Sequence, residues 1–209
     1  MEIDEKLKLT PFISKTSLAS ALRKKNVGTL NSFIRYWMKK KTLTRVKRGV
    51  YVWQDFLERD NNALGYPRFL ATKMVEPSYL SGEFILQDYQ ILTDVVFNYS
   101  IITTKKTLSI KNDFGLFNYQ SIKPELFFGF RKKTSGNMIW YEASKAKALF
   151  DFLYFNRRKF TDFSRKEIGD LRLNLEPFTA GDWREFESYL KFSPEKMQNI
   201  YQSLKKYAF

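Results

Sequence analysis

Apolar residues first recur at helical spacing at Leu18, Ala21 and Leu22, so residues 17–25 predict a helix. Asn26, Val27 and Gly28 read as its break, because Asn and Gly accept positive φ at a helix end. The rhythm resumes over 29–40, where Leu30, Phe33, Ile34, Trp37 and Met38 fall at steps of three and four. That spacing predicts a second helix, with Thr29 as its N-cap and its apolar face laid on the first. At residue 43 the period drops to two. Residues 43–47 alternate, Lys47, Arg48 and Gly49 supply a turn, and 50–53 return, so a two-stranded hairpin follows the second helix.

Beyond the hairpin, residues 55–62 are polar and Asn-rich, as a linker would be, and divide the chain into units of 1–58 and 59–209. Helical spacing returns over 66–74 and 80–89, the second with Ser81 as a possible cap. Residues 99–104, 106–110 and 116–122 then alternate as strands around a turn at 112–115 and predict an antiparallel meander. Strands over 126–131 and 138–141 flank a turn at 134–137. Ala146, Leu149, Phe150, Leu153 and Tyr154 place a helix over 143–155, and two more helices are expected near 183–191 and 194–206. The fold class is α+β. Two short helices and a cationic hairpin form an N-terminal winged helix-turn-helix, and a mixed α/β C-terminal domain follows.

Charge sharpens that reading. The chain carries +14, and not one Asp or Glu lies between Lys6 and Gln54. The first 54 residues hold 13 basic and 3 acidic side chains, or +10, leaving +4 for the other 155. Lysine-rich surfaces often serve only solubility, but a field this segregated concentrates a polyanion and makes binding fall with salt through counterion release. Thr29, Asn31, Ser32 and Arg35 stand on the non-apolar side of the second helix as base readers: Arg35 suits a guanine and Asn31 an adenine. Lys39 and Lys40, with Lys41 beside them, suit phosphates. Arg45, Lys47 and Arg48 on the hairpin would meet neighbouring phosphates or the minor groove.

The absence of Cys and His removes disulfides, thiolate nucleophiles and the commonest metal ligand and general base. No apolar run approaches the roughly 18 residues of a membrane span, and the opening residues do not read as a signal peptide, so a cytoplasmic protein with no membrane partner is expected.

Four stretches carry a further resemblance: EPSYLSGEFILQDYQIL (76–92), SIITTKKTLSI (100–110), FGLFNYQSIKPELFFGF (114–130) and YEASKAKALFDFLYF (141–155). In order and spacing they resemble the AbiEi antitoxin family of type IV toxin-antitoxin pairs, and with the N-terminal unit the likeness covers about residues 10–160. The resemblance implies an abortive-infection antitoxin that represses its own operon. It would bind double-stranded DNA at inverted repeats in its promoter, which suit a homodimer. It would also oppose a nucleotidyltransferase-type toxin without forming a stable complex with it. The family's helix pattern A-S-x-x-K-A-L-x-D falls on Ala143, Ser144, Lys147, Ala148, Leu149 and Asp151, although Lys145 and Ala146 replace its proline and acid. Lys105 and Lys123 complete the motif residues of this antitoxin domain. The last 50 residues match nothing in the resemblance.

Could those polar residues be catalytic? Lys105, Lys106, Lys123, Glu125, Lys147 and Asp151 show no Gly-rich phosphate loop, no metal-ligand spacing and no paired nucleophile and base. The expectation is a protein that is not an enzyme and needs neither cofactor nor metal, with Ser144 capping its helix and Lys123 and Asp151 in structural contacts. A second reading stays open: the basic segment holds RNA or a partner, or the chain modifies a toxin.

Overall fold

The computed structural model describes residues 5–23, 26–59 and 65–207. The chain opens with α1 (Glu5–Lys8), β1 (Ile13–Ser14), α2 (Lys15–Ala21) and α3 (Val27–Lys39), followed by a hairpin of β2 (Leu43–Lys47) and β3 (Val50–Trp53). Ser14 opens α2 by accepting the Ser17 N–H. Asn26, in extended backbone, opens α3 by accepting the N–H groups of both Gly28 and Thr29. The cap expected at Thr29 therefore moves to Asn26, and Val27 and Gly28 are the first turn of α3 and not a break. The break falls at Arg23, which takes a positive φ just after α2. Lys24 and Lys25 of the expected first helix, and Asp60, Asn61 and Asn62 of the expected linker, lie outside the described residues.

β1 pairs with β3, so the hairpin becomes a three-stranded antiparallel sheet in the order β1-β3-β2. Two residues are too few to show alternation in a sequence, and this strand was not foreseen. Gly49 turns the hairpin at φ +77°, where a Cβ would be strained, and its carbonyl accepts the Lys15 N–H at 2.8 Å. Leu43, Tyr51 and Trp53 join Ile13, Leu18, Leu22, Leu30 and Ile34 in a small core. Val46 and Val52, on the other face, belong to the main core instead.

That main core is built on α4 (Gln54–Arg59), α5 (Gly65–Met74), β4 (Ser78–Leu80), α6 (Gly82–Asp88) and β5 (Asn98–Thr103). It continues through β6 (Leu108–Asn112), β7 (Gly115–Ser121), β8 (Phe130–Ser135), β9 (Met138–Ala143) and α7 (Lys145–Asn156). The chain ends in α8 (Arg165–Gly169), α9 (Ala180–Leu190) and α10 (Glu195–Tyr207). Where a linker was expected, α4 buries Phe56 against Tyr66.

The expected meander is corrected. The sheet is mixed and runs β6-β7-β5-β4-β9-β8, with β5 parallel to β7 and β4 parallel to β9. Only β6–β7 and β8–β9 are sequential hairpins. β5 buries Ile101, Ile102 and Thr103 in succession because both of its faces are covered inside the sheet, whereas β6 alternates in burial at the edge. β4, the strand that links the two halves, overlaps the expected helix of 80–89 only at Leu80, and the helix itself begins at Gly82. The segment 126–131 is also revised: residues 124–126 make one tight helical turn and the strand starts at Phe130.

Gly129 joins that turn to β8 at φ +83°, and its carbonyl accepts the Ser144 N–H at 2.9 Å. A methyl group here would lie 2.1 Å from the Tyr189 hydroxyl oxygen. Gly129→Ala is therefore expected to lose about 1–3 kcal/mol from overpacking, with the left-handed backbone adding about 1–2 kcal/mol. Urea denaturation monitored by circular dichroism measures it, and a wild-type midpoint would contradict the packing described.

Candidate nucleic-acid interface

Helix α3 turns Leu30 and Ile34 inward and leaves Trp37 half-buried against Trp53, ring centroids 5.2 Å apart. Residues at i+4, i+7 and i+11 from Gly28 are Ser32, Arg35 and Lys39, and with Gly28 they line the opposite, exposed side. Thr29 is exposed on one flank of this stripe and Asn31 half-buried on the other. The Ser32 hydroxyl donates to the Gly28 carbonyl at 3.2 Å, leaving its oxygen free to accept, and Arg35 Nη2 lies 3.5 Å from it. Met38, expected on the apolar face, is 37% exposed.

Tyr36 was missed by the sequence reading. It is 56% exposed, one turn after Ser32, and adds a ring with a hydroxyl to the outward face. Its i+4 relation to Ser32 was the available signal, hidden because an aromatic residue counts first as core.

Lys40, Lys41, Arg45 and Arg48 are exposed at the end of α3 and on the hairpin. Among the described residues, none of Arg35, Lys39, Lys40, Lys41, Arg45 and Arg48 has a carboxylate within 4.0 Å. Lys47 is different. Its ammonium bonds the Met74 carbonyl at the end of α5, where the helix dipole is negative, so the role expected for it as a free phosphate contact is corrected to a tie between the two units.

The motif residues of the larger unit are not gathered in one place. Lys105 and Lys123 are exposed just beyond the C-terminal ends of parallel β5 and β7. Ser144 caps α7 by accepting the Lys147 N–H at 3.1 Å, as expected, and donates to Glu185 at 2.5 Å. Lys147 and Asp151, one turn apart on α7, form an ion pair at 2.8 Å with both side chains wholly buried. The Lys147 ammonium also donates to the Leu126 carbonyl at 2.7 Å and lies 4.9 Å from the Tyr189 ring centre and 5.0 Å from that of Phe150. Asp151 accepts from the Ser81 hydroxyl at 2.7 Å and the Tyr79 hydroxyl at 3.0 Å.

Ser81 thus gives α6 no side-chain cap, contrary to the expected role, because its hydroxyl is committed to Asp151. Burial pushes the Asp151 carboxyl above its ordinary value, against the pull of Lys147, Ser81 and Tyr79. Burial and the nearby carboxylate likewise push the Tyr79 hydroxyl well up. Shut off from solvent and mutually committed, amine and carboxylate act as a staple between α7, β4 and the turn at Leu126.

Among the described residues no three His, Cys, Asp or Glu side chains converge as a metal site requires, and no helix is long and apolar enough to cross a membrane. Compared with known proteins, the chain matches no family model and no curated sequence.

Lys147→Met strands a carboxylate in the core and is expected to cost about 3–5 kcal/mol, whereas Lys147→Met combined with Asp151→Leu should cost clearly less. Urea unfolding of both variants measures this, and equal losses would show that the pair is not coupled.

Proposed function

We propose that this protein is a DNA-binding transcriptional regulator in which α2 and α3 act as a helix-turn-helix, α3 reads the major groove and the β2–β3 hairpin is the wing. The observation that carries this reading is the exposed stripe of Ser32, Arg35 and Lys39 with Tyr36 beside it, in a segment without acids where, among the described residues, Arg35, Lys39, Lys40, Lys41, Arg45 and Arg48 have no carboxylate within 4.0 Å. Arg35 offers a bidentate fork to guanine, Thr29, Asn31 and Ser32 reach base edges from the helix N-terminal half, and Lys39, Lys40, Arg45 and Arg48 neutralise phosphates.

The likeness of the four stretches between 76 and 155 to AbiEi antitoxins extends the proposal. The protein represses its own operon from the cytoplasm by binding inverted repeats as a homodimer, and its larger unit counters a nucleotidyltransferase-type toxin without a stable complex. The acid-free stripe supports DNA binding alone; autorepression, the inverted repeats, the homodimer and the toxin rest on the resemblance.

Binding of the full chain to the duplex upstream of its own coding sequence, against a scrambled duplex across a salt series, tests the reading. Selective binding with a steep salt slope is expected, and equal affinity for both duplexes would refute sequence reading by α3. Arg35→Ala is expected to cost about 1–3 kcal/mol on the cognate duplex and to narrow the gap to the scrambled one. Arg48→Ala should weaken both alike and flatten the salt slope by about one unit.

A further inference from the structure

The two sheets each end in an unpaired edge, β2 in one and β6 in the other, and a groove of about 1230 Å³ runs between them. Lys41, Arg45 and Arg48 stand on one wall, and Lys111, on β6 of the larger unit, stands on the other. Glu58 and Asp113 also line it, yet among the described residues none of the four cations has a carboxylate within 4.0 Å. At the irregular register of β2 the Asn112 side-chain amide donates to the Val46 carbonyl at 2.8 Å, which fixes β6, and with it Lys111, against the hairpin.

What fits such a groove? A strand edge invites an added peptide strand, but here Asn112 already occupies the Val46 carbonyl and the walls carry unpaired cations, which favours a polyanion. Among the described residues no aromatic ring lines the groove, so a single strand held by base stacking finds no platform there. The groove opens beside the C-terminal end of α3, at Met38 and Lys41, where the backbone of a duplex lying on α3 would pass.

We infer that the sugar-phosphate backbone of duplex DNA runs along the mouth of this groove and that Lys111 is a phosphate contact, so that the larger unit is part of the DNA interface. The inference rests on the proposed DNA-binding function. A duplex is too wide to enter the groove; it presents the phosphates of one strand to Lys41 and Arg45 on the hairpin side and to Lys111 opposite.

The test compares the full-length protein with its Lys111→Ala and Lys111→Glu variants and with Lys166→Ala, an exposed lysine on α8, as control. Each is titrated by fluorescence anisotropy with the duplex upstream of its own coding sequence and with a scrambled duplex over a potassium chloride series. Lys111→Ala is expected to flatten the slope of log affinity against log salt by about 0.9 on both duplexes, Lys111→Glu by more, and Lys166→Ala not at all. A steep wild-type slope left unchanged by both Lys111 variants would overturn the inference while leaving the reading of α3 intact. Flattening without any preference for the upstream duplex would support the groove contact and refute sequence recognition. Binding to single-stranded RNA with none to either duplex would overturn both.

Discussion

Strand β3 buries Tyr51 and Trp53 in one core and Val52 in another, so four residues hold two packed units in a fixed relation. Each fully buried large apolar side chain contributes about 1.5–3 kcal/mol, and neither face can be exposed without losing that amount. Three polar ties follow the same seam: Lys47 to the Met74 carbonyl, Asn112 to the Val46 carbonyl, and the Tyr66 hydroxyl to the Pro11 carbonyl. A hairpin that hung free would swing independently of the rest. This one is clamped, and α3 inherits from it a set orientation towards the six-stranded sheet, so the proposed contact of a lysine on β6 with a ligand of the hairpin needs no rearrangement.

Charges are handled in two ways across the molecule. In the larger unit several cations are paired: Arg68 reaches Asp88 at 2.7 Å and Glu142 at 2.5 Å, Lys145 reaches Asp182 at 2.9 Å, and Lys147 pairs with Asp151. On α3 and the hairpin, Lys47 apart, they stand exposed with no carboxylate within 4.0 Å among the described residues. Folding does not require those charges, since exposed cations without partners add repulsion and little else to the native state. Under the proposed function, the polyanionic ligand would supply the missing countercharge to those on the outward helix face and along the groove.

The Lys147–Asp151 pair obeys a different constraint. Desolvating both groups cancels most of their attraction, so the pair adds little net stability, but each partner also holds backbone or side chains from elsewhere. Asp151 collects the hydroxyls of Tyr79 and Ser81, and Lys147 the carbonyl of Leu126. The pair therefore orients α7 on the central strand β4. A family-like motif that reads as candidate chemistry along the chain is, once folded, an internal register pin.

Much was legible without the fold. Periodicity located α3, both hairpin strands and α7 to within one or two residues, because one-sided burial imposes its period on a sequence, and the acid-free run marked the cationic surface. What periodicity cannot carry is the identity of neighbours. Alternation says which face of a strand is buried and nothing of which strand lies alongside, so a mixed sheet with parallel β5 and β7 was read as a meander. β1 and β4 were too short to show a pattern, and Ser81 and Lys47 resembled a cap and a free cation until their partners, Asp151 from 70 residues away and Met74 from 27, were in place. Lys111 drew no notice in the sequence for the same reason: the role proposed for it comes from lining one groove with Arg45. Local pattern and charge belong to the chain itself, whereas every tie between distant residues exists only once loops close and bring them into contact.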